Sequence, residues 1–236
     1  MSLNNGISLT WLGHASFRIE YEGLVILIDP WILQNPACPG EHKTFQKIDH
    51  MLITHGHFDH IADAVALGKT HTPKVVCIFE IGEWLRKKGV TNIESMNKGG
   101  TLELDGVKIH MVHADHSCGI SEDDGSIVYG GEAVGFVLEF PNDFRIYHAG
   151  DTNVFGDMGM IHELYRPDLA LLPVGDRFTM GPREAHRAIQ LLRAPKVVPM
   201  HFGTFPLLTG TPEQLRELTR DLEVELIELS PGETLN

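Results

Sequence analysis

Apolar runs of strand length recur along the chain, each closed by Gly, Pro, Asp or Asn: Leu24–Ile28, Met51–Ile53, Val75–Phe79, Val107–Val112, Val134–Phe140, Phe144–Tyr147, Leu169–Val174, Val197–Met200 and Val224–Leu229. Short runs rich in Val, Ile, Leu and Phe with such borders predict strands. Apolar positions at helical spacing predict helices over Ile61–Leu67, Ile81–Lys88, Pro182–Leu192 and Pro212–Leu222. The last carries a start signal in Thr211, Pro212 and Gln214: an N-cap hydroxyl, a proline at the first helical position and a capping-box partner. Strands dominate the first two thirds and helix alternates with strand at the end, which predicts an α/β fold with two sheets or one large mixed sheet. No linker, low-complexity tract or short repeat divides the sequence, so a single domain over 1–236 is expected. The longest polar stretch, Ser121–Glu132, is expected as a loop, either a lid over a site or a surface excursion.

With 236 residues, 42% of them hydrophobic and 22% charged, the chain is long enough to bury a substantial core. The 32 acidic residues against 19 Lys and Arg give a formal charge of -13, which disfavours nucleic acid and anionic lipid as partners. The longest apolar stretches fall far below the roughly 20 residues of a membrane span. Segment 1–6 has neither the basic start nor the apolar run of a signal peptide, so a cytoplasmic protein is expected. Three scattered cysteines, Cys38, Cys77 and Cys118, form neither a disulfide framework nor a Cys-x-x-Cys zinc site and suit a reducing compartment.

Histidine changes the picture, with 14 residues of that type concentrated after apolar runs. The run ending at Ile53 and Thr54 leads directly into His55-Gly56-His57-Phe58-Asp59-His60. Imidazole and carboxylate together suit zinc and related first-row metals. His55 and His57, two apart, can serve one position while Asp59 and His60 serve another, which points to two adjacent ions. Three further strand ends carry similar residues: His113-Ala114-Asp115-His116-Ser117, His148-Ala149-Gly150-Asp151-Thr152, and His201 after Val197–Met200.

In type and order these segments resemble the successive metal motifs of the metallo-β-lactamase superfamily. Thr10-Trp11-Leu12-Gly13-His14-Ala15-Ser16-Phe17 and Ile26-Leu27-Ile28-Asp29-Pro30 are similar to the opening strands of its branch containing L-ascorbate-6-phosphate lactonase, N-acyl-phosphatidylethanolamine phospholipase D and many metal-dependent hydrolases without an assigned substrate. The resemblance implies a four-layer αβ/βα sandwich of two mixed β-sheets flanked by helices. It implies that His55, His57 and His116 bind one metal, that Asp59, His60 and His201 bind the other, and that Asp151 bridges both. His110 and His113 are the alternatives to His116, set farther back in the apolar strand, and Cys118 is either a soft ligand or a packed thiol.

Two divalent ions bring four positive charges, and Asp59, Asp151 and a bridging hydroxide would remove three. The remaining positive charge favours an anionic transition state, and bound water becomes nucleophilic near neutral pH. Zn2+ is the favoured ion, with Mn2+ or Fe2+ as alternatives. The expected reaction is hydrolysis of an ester, lactone, amide or phosphodiester in a small, anionic or phosphorylated metabolite. Around the ligands, Asp29 is the first choice to orient an imidazole, and His14 and His148 either brace ligands or meet substrate. Asp176 can approach the metals and Arg177 an anionic group, or the two form a solvated pair. Phe155, Met158, Met160, Phe178, Met180 and Phe205 are placed in loops that form a pocket wall or pack simply. A di-iron redox protein, a nuclease of the same superfamily and a non-catalytic metal binder are the competing classes, and homo-oligomerisation stays open.

Overall fold

A computed structural model describes Leu3 and residues 5–236. Of the segment read above for a leader, Met1, Ser2 and Asn4 lie outside the described residues. In chain order the elements are β1 (Ile7–Trp11), β2 (Phe17–Tyr21), β3 (Leu24–Ile28), β4 (His50–Leu52), α1 (Phe58–Ile61), α2 (Ala64–His71), β5 (Lys74–Ile78), α3 (Phe79–Lys87), β6 (Ile93–Met96), β7 (Thr101–Leu104), β8 (Val107–His113), β9 (Gly119–Ser121), β10 (Ile127–Tyr129), β11 (Val134–Glu139), β12 (Arg145–His148), α4 (Met158–Tyr165), β13 (Leu169–Pro173), α5 (Pro182–Leu192), β14 (Lys196–Met200), α6 (Pro212–Leu218), β15 (Glu225–Leu226) and β16 (Thr234–Leu235). No helix among the described residues is long and apolar enough to cross a membrane.

The chain divides into two compact units, each built on one seven-stranded sheet. The first comprises Met1–Asn97, Ser117–Ala133 and Leu229–Asn236. Its sheet runs β16-β1-β2-β3-β4-β5-β6, antiparallel from β16 to β3 and parallel from β3 to β6. Because β1 and β3 each run antiparallel to β2, the C-terminal ends of β1, β3, β4 and β5 share one rim. Open sheets with parallel strands place ligand-binding residues at this rim. The parallel strands read as continuous apolar runs because both faces are covered: all but the first residue of β3, and of β5, is buried. The β9–β10 hairpin also belongs to this unit.

The second unit comprises Lys98–His116 and Val134–Glu228, and its sheet runs β15-β14-β13-β12-β11-β8-β7. Strands β12 to β15 are parallel, and β8 runs with them because both β8 and β12 are antiparallel to β11. The ends of β8, β12, β13 and β14 therefore lie along one rim. Helix α5 shows how the core forms: Ala185, Ala188, Ile189 and Leu192 recur at helical spacing, and all are buried. Burying the Ile189 and Leu192 side chains stabilises by about 1.5–3 kcal/mol each. The helix starts on Pro182 as expected, and α6 has the capping box of Thr211 and Gln214.

Several boundaries differ from the sequence reading. The helix expected over Pro212–Leu222 ends at Leu218, where the Thr219 hydroxyl donates back to the Leu215 carbonyl. Of the strand expected over Val224–Leu229, only Glu225–Leu226 pairs, against Lys196 and Val197. Ser121–Glu132 is not a plain loop, because Ile127–Tyr129 returns along Gly119–Ser121 and leaves 122–126 as the turn. Met158 and Met160 sit in α4 rather than in a loop, since Met158, Ile161 and Tyr165 give a short strip at helical spacing. Met158 and Met180 are packed in the core around α5.

Candidate metal centre

In the first unit the candidate ligands follow the strand ends. Asp29 follows β3, and Thr54, His55 and His57 follow β4, with Asp59 and His60 in the single turn of α1. Gly56 lets this segment approach β9, since a Cβ there would come 2.5 Å from Ile120 Cγ1. His14 and Asp29 both hold left-handed backbone conformations, at φ 57 and 49. Non-glycine residues held there cost free energy and concentrate at functional sites.

Asp29 is the hub of a fully buried relay. Its Oδ1 accepts from the Thr54 backbone N–H at 2.8 Å. Its Oδ2 accepts from the Thr54 hydroxyl at 2.7 Å and from His60 Nδ1 at 2.7 Å. The Thr54 hydroxyl in turn accepts from His55 Nδ1 at 3.1 Å. These bonds fix the tautomers of both imidazoles and direct their Nε2 lone pairs to the outer side of the relay. Asp29 therefore takes the orienting role expected of it. Thr54 was missed by the sequence reading; its only signal is a hydroxyl residue directly before the first histidine of the motif.

His55 Nε2 lies 3.0 Å from His57 Nδ1. His57 Nε2 faces the Ser117 hydroxyl at 3.3 Å. With its Nδ1–H given to Thr54, His55 turns the lone pair of Nε2 toward His57 Nδ1, which donates to it when His57 carries its proton there and presents a second lone pair when the proton sits on Nε2 beside Ser117. In the second tautomer both lone pairs would face a shared cation. Two nitrogens at 2.0–2.1 Å from a tetrahedral zinc stand about 3.3 Å apart, close to the observed spacing. The residues thus fit a metal ion.

His14, Asp59 and His60 bring one ligand atom each to within 4.8 Å of one another. His14 is wholly buried, and its Nε2 lies 3.0 Å from Asp59 Oδ2. Its ring stands edge-on to Trp31 at a centroid distance of 5.2 Å. Asp63, also unremarked in the sequence, accepts from the backbone N–H groups of Ile32 and Leu33 and ties the loop after β3 to α2.

Cys118 has the packed-thiol environment. Its sulfur donates to the Gly130 carbonyl at 3.1 Å, and burial pushes the thiol up to about 11. All three cysteines are buried and free.

In the second unit Asp151 and His201 are buried at the ends of β12 and β14. His201 Nε2 lies 3.0 Å from Asp151 Oδ2, and His116 Nε2 lies 3.7 Å from the same oxygen. Backbone devices set these positions. His201 has φ 56, and a Cβ on Gly175 would come 2.0 Å from its carbonyl oxygen. The Asp115 N–H donates to Thr152 Oγ1 at 2.9 Å, joining the β8 and β12 ends. His148 Nδ1 accepts from the Gly150 N–H at 3.1 Å, which makes it a brace of the turn that carries Asp151.

The alternatives to His116 are engaged in the strand. His110 Nδ1 pairs with the Thr101 hydroxyl at 2.8 Å, and His113 Nδ1 lies 3.3 Å from Lys98 Nζ. Asp176 is exposed and caps its own turn, accepting from the Arg177 N–H at 2.6 Å. The Arg177 guanidinium lies over the Phe178 ring at 5.6 Å. Phe155 stands edge-on to His113 at 4.9 Å, while Met160 and Phe178 are each 50% exposed.

Residues 8–201 match a family described as the Beta-lactamase superfamily domain. The chain is 56% identical over 230 residues, 97% of both proteins, to a UPF0173 metal-dependent hydrolase of Koribacter versatilis (strain Ellin345). It is 54% identical over 227 residues, covering 96% of this chain and 98% of the relative, to a protein of the same name from Solibacter usitatus (strain Ellin6076). Among solved structures it is similar to Igni18, described as a metallo hydrolase from the hyperthermophilic archaeon Ignicoccus hospitalis, with a TM-score of 0.83, 36% identity and 97% of each chain covered. That likeness gives the expected fold class, an α/β sandwich with two mixed sheets and flanking helices.

Proposed function

The chain belongs to the metallo-β-lactamase superfamily and is a metal-dependent hydrolase, and from that premise we propose that it works with two metal ions: His55, His57 and His116 hold one, Asp59, His60 and His201 the other, and Asp151 is shared. The 3.0 Å approach of His55 Nε2 to His57 Nδ1, with His55 Nδ1 committed to Thr54, supports this reading. When bound, such cations lower the pKa of water and polarise a carbonyl or phosphoryl oxygen. An imidazole-rich set with two carboxylates suits zinc, with manganese or iron as substitutes.

The protein's own side chains do the rest. Asp29 and Thr54 hold His55 and His60 in the tautomers that leave Nε2 for the metal. His14 gives its Nε2 proton to Asp59 Oδ2, which leaves Oδ1 as the ligand atom and makes His14 a positioning residue. Asp176 stands as a candidate to meet substrate from the β13 end, and the exposed Arg177 as a candidate partner for an anionic group. Residues 1–236 are taken as one catalytic domain in this proposal. The substrate is a small anionic metabolite with an ester, lactone, amide or phosphodiester bond. The -13 charge weighs against nucleic acid as that substrate, and three buried thiols suit the cytoplasm.

The test measures hydrolysis of p-nitrophenyl esters and bis-p-nitrophenyl phosphate together with metal content by plasma emission. Asp59→Ala and Asp151→Ala are expected to abolish turnover while circular dichroism stays that of the wild type. Turnover at the wild-type rate in either variant excludes the assigned roles. Stoichiometric iron with a visible absorption band and oxygen reactivity would install the redox reading instead.

A further inference from the structure

The β9–β10 hairpin carries an outer edge that nothing in the catalytic reading uses. All three residues of β10 are exposed, Ile127 at 74%, Val128 at 37% and Tyr129 at 70%. The edge is also unguarded. Exposed sheet edges usually carry a charge or proline that blocks further pairing, as Glu94 does on β6 and Glu103 on β7. From Gly125 to Gly131 the chain has no charged residue.

Backbone register shows what the edge offers. The Gly130 N–H bonds to the Cys118 carbonyl, and the Glu122 N–H to the Ser126 carbonyl. Hydrogen-bonded pairs alternate along an antiparallel ladder, so Val128 pairs inward with Ile120. The N–H and C=O groups of Ile127 and Tyr129 therefore point outward, away from β9.

We propose that this edge is a homodimer interface, with β10 pairing antiparallel to β10 of a second copy about a two-fold axis at Val128. The donor and acceptor pattern is self-complementary, as an isologous interface requires. In this register Ile127 of one copy exchanges both backbone hydrogen bonds with Tyr129 of the other, and the reverse. The same pairing sets each Ile127 opposite a Tyr129 ring, a favourable cross-strand combination. Val128 meets its own copy in a non-hydrogen-bonded pair, where Cα atoms stand about 4.5 Å apart. Charge bears on the choice of strip: in a chain of net charge -13 the strand itself carries none, and the groove beside Val128 and Tyr129 offers Lys87 and Lys88 as well as Glu80 and Glu83. Asp124 and Glu132, each four residues from Val128, face one another across the axis, so added salt strengthens association.

The hairpin is held ready on its own unit. The Glu122 carboxylate at the turn accepts from Trp84 Nε1 at 2.7 Å and from Lys88 Nζ at 2.5 Å. These bonds fasten the turn to α3, so little ordering is needed on pairing.

Light scattering of the metal-loaded enzyme is expected to give twice the 26.3 kDa chain mass, with a dimer that tightens as salt rises. Ile127→Lys and Tyr129→Lys are expected to run as monomers with unchanged circular dichroism. Leu164→Lys on α4, where Leu164 is 66% exposed, adds the same charge elsewhere and leaves the dimer intact. Register is read by disulfide trapping with oxidised glutathione. Val128→Cys is expected to cross-link two copies, and Ile127→Cys is not, because it faces Tyr129; the native thiols are buried. A monomeric wild type, a dimer that survives both lysine variants, or trapping at position 127 in preference to 128 overturns the proposal.

Discussion

In the first unit the candidate ligands are aimed by side chains: Asp29 accepts from Thr54 and His60, and Thr54 accepts from His55, all inside a buried relay. In the second unit the aiming falls mainly to backbone groups, braced by the His148 and Thr152 side chains. His201 sits in the left-handed region against Gly175, and Asp151 follows Gly150, whose N–H is tied to His148. A side-chain relay sets protonation as well as direction, because it fixes which nitrogen carries the hydrogen. A backbone device sets position alone. The two halves should therefore fail differently: the first through chemistry at constant fold, the second through geometry and stability together.

Gly175→Ala should have the largest effect. The added Cβ would stand 2.0 Å from the His201 carbonyl oxygen, a backbone atom that cannot rotate away. The β13 and β14 ends must part, at a cost of about 1–3 kcal/mol or more, and His201 moves with them. Thermal unfolding and turnover should fall together. Gly56→Ala, whose Cβ would meet the Ile120 side chain at 2.5 Å, should lower the melting temperature less. Equal losses in the two variants would break the distinction between the halves.

Asp29→Asn sharpens the other side. Asn keeps the shape and tolerates the left-handed φ of 49, so the backbone is left alone. What changes is the charge that accepts from Thr54 and His60. Loss of such an orienting partner weakens metal affinity by about 10–100-fold. Competition with a chromophoric chelator measures it, with the melting temperature of the metal-free protein close to the wild type. A variant that unfolds instead would show that the relay serves the core and not the ligands.

Legibility in the sequence follows the same division. The strands that carry ligands were readable because burial on both faces makes them unbroken apolar runs, as in Leu24–Ile28 and Leu169–Pro173. Pro182–Leu192 was readable because a proline start and an amphipathic pattern agree. Helix α4 was hidden by Gly156 and Gly159 and by its length of 8 residues, too short for a periodic signal. The β9–β10 hairpin was hidden by its acidic turn, Glu122-Asp123-Asp124, which made the whole stretch look like a loop. Asp29 was legible as a carboxylate at a strand end. Thr54 was not, since its role depends on a partner 25 residues away in the chain.

The smallest effect lies off the site, at His110 in β8. Its Nδ1 pairs with the Thr101 hydroxyl and its ring lies on Tyr165 at a centroid distance of 4.6 Å. Burial is the main force holding its pKa below the ordinary 6.5, with Lys108 and Arg145 adding to the shift and Glu139 opposing it. The folded protein therefore favours the neutral ring. Above about pH 6.5 neither state is protonated and the residue leaves stability unaffected by pH. As pH falls below that value the unfolded chain takes up a proton that the folded one resists, so stability declines until the folded pKa is passed. Urea unfolding of the wild type and of His110→Gln across this range isolates the contribution. The wild type should lose stability more steeply than the variant as the solution is acidified, whereas parallel curves would mean that His110 is protonated as readily in the fold as outside it.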